Sequence, residues 1–233
     1  MPLPSEGVGK AMEKKTSGYY ADKFEKLAWV YDCAVSFWTF FFGGERKVRG
    51  ELIRHAGVRE GERVLDVGCG TGTASFLMAE QAGPEGEVAG IDLSGRMIAI
   101  ARKKLAKSGL GNISFHHANA EDIPFPDSYF DKVTFFAVLH EMNHEGRINA
   151  LKETCRVLRP GGRVLICDLD VPEKSLGRLL MGLLLLAEGK TARDMLRRGL
   201  AAEMGEAAGE CLRVVQKRKM LSGLVQVLVL ERA

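Results

Sequence analysis

Val64-Leu65-Asp66-Val67-Gly68-Cys69-Gly70-Thr71-Gly72-Thr73 is an apolar run that passes into a glycine-rich turn with an acid just ahead of it. Val64 to Val67 reads as a buried parallel strand, and the periodic segment Ala74 to Ala82 as the helix that follows. Glycines at 68, 70 and 72 allow backbone angles closed to other residues and take away the side chains that would hold a cofactor off the main chain. A glycine-rich loop alone carries little weight, because ordinary turns use glycine too. Its place between a buried strand and a helix is what makes it a nucleotide pocket.

The glycine spacing separates two cofactor classes. A dinucleotide fingerprint requires Gly-x-Gly-x-x-Gly or Ala, so that the helix N-terminus can approach a pyrophosphate. This chain has Thr73 at that last position and spaces its glycines Gly-x-Gly-x-Gly, with Asp66 placed to accept hydrogen bonds from a loop amide or a cationic amino group. The loop resembles motif I of the class I S-adenosylmethionine-dependent methyltransferases. The next strand, Glu87-Val88-Ala89-Gly90-Ile91-Asp92, ends in an acid 20 residues after Gly72. A carboxylate there can take both hydroxyls of an adenosine ribose, a job shared by both cofactor classes.

Two further stretches carry the same resemblance in the same order. Ala118-Asn119-Ala120-Glu121-Asp122-Ile123-Pro124-Phe125 is similar to the segment where an Asp or Asn meets the adenine amino group and the next amide meets a ring nitrogen. Arg156-Val157-Leu158-Arg159-Pro160-Gly161-Gly162-Arg163-Val164-Leu165-Ile166 resembles the helix end, Pro-Gly-Gly turn and fifth strand of that fold. Four motifs in order are far more specific than any one of them. The resemblance implies S-adenosylmethionine as cofactor and S-adenosylhomocysteine as product. It assigns contacts to Asp66, Gly68, Cys69, Gly70, Thr71, Gly72, Asp92, Leu93, Met97, Asn119, Ala120, Glu121, Phe136 and Ala137, with Tyr20 and Tyr31 reaching the methionine end.

Within that superfamily the chain is most similar to the C-methyltransferases of menaquinone and ubiquinone biosynthesis (UbiE-like, methyltransferase type 11). Phe24 through Tyr31-Asp32 and Pro124-Phe125-Pro126-Asp127 carry the likeness. The departures are Cys33-Ala34-Val35, where those enzymes continue x-Met-Asn, and Asp168-Leu169-Asp170, where they end the fifth strand in Glu-x-Ser. The resemblance therefore implies the reaction class and a small apolar or aromatic acceptor, quinol-like or lipid-like, but not a particular quinone.

Composition agrees. The chain has 233 residues, 46% hydrophobic and 27% charged, with a net charge of +3. That length suits one α/β domain able to bury a core without disulfides or metals. The charge is too small to argue for nucleic acid. From residue 172 onward 11 basic and 7 acidic side chains give a net +4, which leaves room for transient contact with an anionic membrane surface, although solvated helix faces explain it as well. The five cysteines, at 33, 69, 155, 167 and 211, show no metal-ligand spacing and read as packing residues in a reducing compartment. Met1 to Lys15 lacks the apolar core of a signal peptide. Leu179 to Ala187 falls far short of the roughly 20 residues that span a bilayer. The expected location is the cytoplasm.

The predicted fold is a Rossmann-like, doubly wound α/β sheet of seven strands. Five are parallel, near 63–67, 87–92, 113–117, 131–137 and 162–169, and an antiparallel hairpin over 212–219 and 224–231 closes the sheet. Ser94 is the expected N-cap of the second helix. The chain divides into a mobile start (1–18), an N-terminal helical cap (19–56), a cofactor-binding core (57–171) and substrate-side helices with the hairpin (172–233). Ten of the 17 aromatic residues fall between 19 and 42. They are expected to cap the carboxyl ends of the strands, with Trp38 and Phe40 to Phe42 meeting the acceptor; the plainer reading is packing against the sheet edge. The leucine-rich piece Leu176 to Leu186 is expected to be a buried helix, and is a candidate second wall of the pocket.

For an acceptor that must lose a proton, the candidate bases follow the fourth strand in Leu139-His140-Glu141-Met142-Asn143-His144. His140 comes first, because imidazole titrates near neutral pH, then Glu141 and His144. A helix-capping or solvated His144 and an ion-paired Glu141 are equally reasonable. His116 and His117 are expected to be structural and His55 solvated. Two other functions fit the same residues: an NAD(P)-dependent oxidoreductase, opposed by the glycine spacing and the final hairpin, and a protein that binds S-adenosylmethionine without transferring its methyl group. The acceptor atom and the oligomeric state are not legible.

Overall fold

The computed structural model describes residues 45–220 and 223–233. Helix α1 (Glu45–Ala56) leads into β1 (Arg63–Val67), α2 (Thr73–Ala82), β2 (Glu87–Asp92), α3 (Gly95–Leu105), β3 (Ile113–His117) and β4 (Phe130–Phe136). A 3-10 turn (Leu139–Glu141) and α4 (His144–Val157) follow, then β5 (Leu158–Leu169), α5 (Ser175–Arg198), α6 (Leu200–Ala208), β6 (Leu212–Met220) and β7 (Val225–Arg232).

The strands form one seven-stranded sheet in the order β3-β2-β1-β4-β5-β7-β6. The first five run parallel, and β7 lies antiparallel between β5 and β6, so the hairpin is reversed as expected. The central strands are buried on both faces, which explains why apolar residues stand side by side in them, Val64 and Leu65 in β1 and Phe135 and Phe136 in β4, instead of alternating with polar ones. Because side chains alternate along a strand, Val64 and Phe136 join the core under α1, α2 and α3 with Ile53, Met78 and Ile98. Their neighbours Leu65 and Phe135 join the opposite core with Leu151, Met195 and Met204 of α4, α5 and α6.

The strand order reverses between β1 and β4. In open α/β sheets a crevice forms there, outside the carboxyl ends of the strands. The caps fix how the helices leave that edge: Ser94 Oγ accepts from Met97 N (3.2 Å) at α3, and Asn143 Oδ1 accepts from Gly146 N (2.8 Å) at α4. Arg147, fully buried, anchors α4 to the two helices that follow. Its guanidinium donates to both Glu203 oxygens (2.7 and 2.6 Å), to Asp194 Oδ2 (2.8 Å) and to the Met142 carbonyl (2.5 Å).

Two expectations need correction. Cys155 and Cys211 do not merely fill space: they form a disulfide, with Cα atoms 6.3 Å apart, tying α4 to the turn between α6 and β6. Packing brings together residues 56 apart in sequence, and spacing alone cannot show that. Cys69 and Cys167 are buried and take no part in that bridge, whereas Cys33 lies outside the described residues. The leucine-rich piece is also not uniformly buried. It opens the 24-residue α5, where Met181 is buried but Leu179 is 63% exposed, because a helix on the outside of a sheet has only one face to bury. The side chains of Leu176, Leu180, Leu183, Leu184 and Leu186 lie outside the described set, as do residues 1–44 with the aromatic segment 19–42.

Candidate active site

The glycine loop turns sharply because two of its positions leave no alternative. Gly68 has φ +66°, and a Cβ there would run into the Val138 side chain. Gly72 has φ +87°, and a Cβ would lie 2.6 Å from Cζ of Phe115. The turn is held by Cys69 N donating to the Ile91 carbonyl (3.0 Å) and Gly72 N to the Cys69 carbonyl (2.9 Å). A cleft opens beside it, lined by Asp66, Gly68, Cys69, Gly70, Thr71, Thr73, Ala74 and Phe136.

Asp92 sits at the carboxyl end of β2 and stitches the loop to the next helix. Its Oδ2 accepts from Gly70 N (2.9 Å) and its Oδ1 from Ser94 N (2.8 Å). Burial pushes its carboxyl above the ordinary carboxylate value, although the amides of Ser94 and Gly70 and the nearby His117 pull it down. Those two bonds use half of a carboxylate's acceptor sites, so Asp92 retains capacity for two more donors. The thiol of Cys69 is pushed well up by burial and then by the negative charges of Asp66 and Asp92, which favours its protonated form. Asp66 is buried beneath the loop, accepting from Ser75 Oγ (2.5 Å) and Thr134 Oγ1 (2.9 Å). Thr71 Oγ1 accepts from Lys104 Nζ (2.8 Å) at the end of α3.

The segment after β3 lies against β2, with Ala118 N donating to the Asp92 carbonyl (3.1 Å). Asn119 and Ala120 therefore stand next to Asp92. Asn119 is buried and its Oδ1 accepts from Glu121 N (3.0 Å), an Asx turn that fixes the segment, while Glu121 Oε2 accepts from Asn149 Nδ2 (3.0 Å). Met97 is buried in the first turn of α3, and the Leu93 carbonyl meets His117 Nε2 (2.8 Å). Ala137 has φ +56°, unusual for a residue with a Cβ, and its amide donates to the Cys167 carbonyl (2.8 Å). That twist carries the chain from Phe136 over the loop, so that Val138 covers Gly68. Tyr20 and Tyr31 lie outside the described residues.

The three candidate bases fall in different settings. His140, only 5% exposed, directs Nδ1 at Asp168 Oδ1 (2.7 Å), and its Nε2 is 3.6 Å from Glu141 Oε1. His144 is the first residue of α4, where Asn143 is the cap. Its Nδ1 meets Glu203 Oε1 (3.0 Å) and its Nε2 is 3.3 Å from Glu206 Oε1, both on α6. His144 thus belongs to the helix clamp around Arg147 rather than to the His140 pair. Asp168 is the residue that sequence reasoning missed. It was visible only as a departure from Glu-x-Ser, yet the pairing of Phe136 with Cys167 on β4 and β5 puts it beside the turn that carries His140.

Among the described residues, no group of three or more His, Cys, Asp and Glu is placed to hold a metal ion, and no helix is long and apolar enough to cross a membrane.

A parallel five-stranded core, a reversed hairpin and a glycine loop under an acid-tipped second strand define a Rossmann-like methyltransferase fold. Residues 59–211 match the methyltransferase domain family, and the chain belongs to it. Over 149 residues it is 39% identical to a demethylmenaquinone methyltransferase of Geobacillus kaustophilus, covering 64% of this chain and 62% of that protein. Over 161 residues it is 35% identical to the ubiquinone/menaquinone biosynthesis C-methyltransferase UbiE of Francisella philomiragia, covering 69% of this chain and 61% of that one. The match thus spans about three-fifths of these relatives' length. Among solved structures, a SAM-dependent methyltransferase from Aquifex aeolicus is similar with a TM-score of 0.64 at 22% identity, over 79% of this chain and 89% of that one. The [4+2]-cyclase SpnF is similar with a TM-score of 0.60 at 18% identity, over 82% and 81%. These two likenesses concern the fold alone.

Proposed function

We propose that the chain transfers the methyl group of S-adenosylmethionine to a small, apolar, quinol-like acceptor. The observation that carries this reading is the cradle around Asp92: a carboxylate at the tip of β2, pinned by Gly70 N and Ser94 N, beside a loop whose glycines leave the main chain bare. The residues fit an adenosine. Asp92 retains two acceptor sites for the ribose hydroxyls, and Asn119 and Ala120 adjoin it for the adenine. Glycine 68 to 72 backbone and Asp66 border the cleft where the methionine end would lie.

When bound, the sulfonium supplies a methyl group that is already electrophilic. The protein's part is to align the acceptor, exclude water and take up a proton where the acceptor must lose one, and alignment of this kind is worth up to about 7 to 11 kcal/mol. His140 is the base this reading assigns, and what supports it is its position on the turn that follows β4 at the carboxyl edge of the sheet. The quinol-like acceptor comes from the two named relatives. A cofactor-binding protein without turnover would share the cradle but would have no use for a base.

Calorimetry tests the cofactor. S-adenosylmethionine and its demethylated product should bind and NAD should not. Asp92→Ala should weaken binding at least tenfold, because a lost hydrogen bond to a charged group costs about 1.5 to 3 kcal/mol. Unchanged affinity in that variant would remove the assignment of Asp92, and tight NAD binding in place of S-adenosylmethionine would overturn the proposal.

A further inference from the structure

Asp168 is wholly engaged. Oδ2 accepts from the backbone N–H of Leu139 (2.8 Å) and, at 3.4 Å, of His140, while Oδ1 accepts from Leu169 N (2.7 Å) and faces His140 Nδ1 (2.7 Å). Its side chain is entirely buried. Four donors thus converge on the four acceptor sites of one carboxylate. Three of them come from the turn that carries His140, so this acid sets where the turn sits as well as how the ring is held. Burial by itself would raise the carboxyl, but the charge of His140, the bond from its ring and the amides of Leu169 and Leu139 hold it below the ordinary value. Asp168 is therefore ionised throughout the range in which imidazole titrates, and an ionised carboxylate can only accept. With the carboxylate ionised and accepting from three backbone amides, Nδ1 is the only atom of the pair left to carry the shared proton.

We propose that Asp168 is a positioning residue that fixes His140 as the Nδ1–H tautomer and so makes Nε2 the proton acceptor of the site. The inference rests on the methyl-transfer reading only for what the proton is used for. When an acceptor hydroxyl reacts, its O–H bond breaks, its electron pair stays on oxygen and an Nε2–H bond forms, leaving an imidazolium between two carboxylates. Asp168 holds one side of that cation. Glu141 Oε1, 3.6 Å from Nε2, is too distant for a good hydrogen bond but close enough to favour the charge. Asp168→Asn is isosteric and still offers an oxygen to Leu139 N. Its amide group, turned toward Nδ1, would donate where the carboxylate accepted, moving the ring proton to Nε2 and removing the base.

The test has two independent arms on the full-length protein. In ¹⁵N NMR of the wild type, above the titration of His140 and with its signals identified by their loss in His140→Gln, the neutral ring should carry its proton on Nδ1. Asp168→Asn should move it to Nε2. In turnover, Asp168→Asn should lower kcat about a hundredfold or more, with cofactor affinity within a few-fold of wild type. An Nε2–H tautomer in the wild type overturns the proposal whether or not the variant folds, and so does a variant with wild-type kcat. If no acceptor turns over at all, the methyl-transfer reading fails, while the tautomer arm still decides the role of Asp168.

Discussion

Asp168 makes stability depend on pH in a definite direction. Its folded-state pKa is depressed, so the unfolded chain takes up that proton first on acidification. The stabilisation is fully present above the ordinary carboxylate value of about 4 and is lost as pH falls below it through the folded-state value. Thermal melts should therefore show wild type more stable than Asp168→Asn near neutrality, with the gap closing below about pH 4; a gap that widens there would contradict the assignment. At Gly72 the backbone leaves no room for a side chain. Gly72→Ala would meet Phe115 and strain a positive φ, at a cost on the order of 1 to 3 kcal/mol, and the displaced loop should lose cofactor affinity as well. A variant with unchanged melting and binding would mean that the loop is more accommodating than its geometry shows. Positions such as Gly72 and Asp92 stood out in the chain because the glycine spacing and the acid ending the next strand form a recognisable pattern over one strand-helix-strand unit. Asp168 was not, because its partner lies 28 residues away and only the pairing of β4 with β5 brings the two together.

At the scale of elements, the joint between α4, α5 and α6 is electrostatic. The buried Arg147 is held in a two-pronged grip by Glu203, itself buried, and more loosely by Asp194, whose side chain is 37% exposed. Glu203→Ala would leave a buried cation short of its main partner, costing on the order of 3 kcal/mol, or roughly 6 to 12 °C in Tm for a chain of this size. Asp194→Ala should cost under about 1 kcal/mol, since water can replace an exposed partner. Equal losses in the two melts would mean that the grip of Glu203 is not what locks the helices. Because Arg147 also donates to the Met142 carbonyl, this clamp reaches the turn that holds His140 and Glu141. The strands and the Ser94 cap could be read from periodicity and local chemistry. Neither the clamp nor the Cys155–Cys211 bridge could, since both join elements whose meeting is decided by packing and not by local sequence.

For the whole molecule, the sheet order and the reversed hairpin follow from a pattern that the chain shows openly: apolar strands alternating with helices, then two strands joined by a short turn. The carboxyl edge of that sheet gathers the glycine loop, Asp92, the Asn119 segment and the His140 turn onto one side, although they are spread from residue 68 to residue 140. The proposed acceptor is the part least visible in the chain, because a small apolar molecule would be recognised by the shape of a wall and not by a motif. The most direct test of the account is chemical. The protein is incubated with S-adenosylmethionine carrying a trideuterated methyl group and with a reduced naphthoquinol or benzoquinol that has an unsubstituted ring carbon, and the product is read by mass spectrometry. One CD3 should replace one ring hydrogen, and His140→Ala should slow that exchange about a hundredfold. A protein that binds the cofactor but leaves every quinol unlabelled would contradict the proposed acceptor, and one that labels no phenol, lipid or amine either would contradict methyl transfer itself.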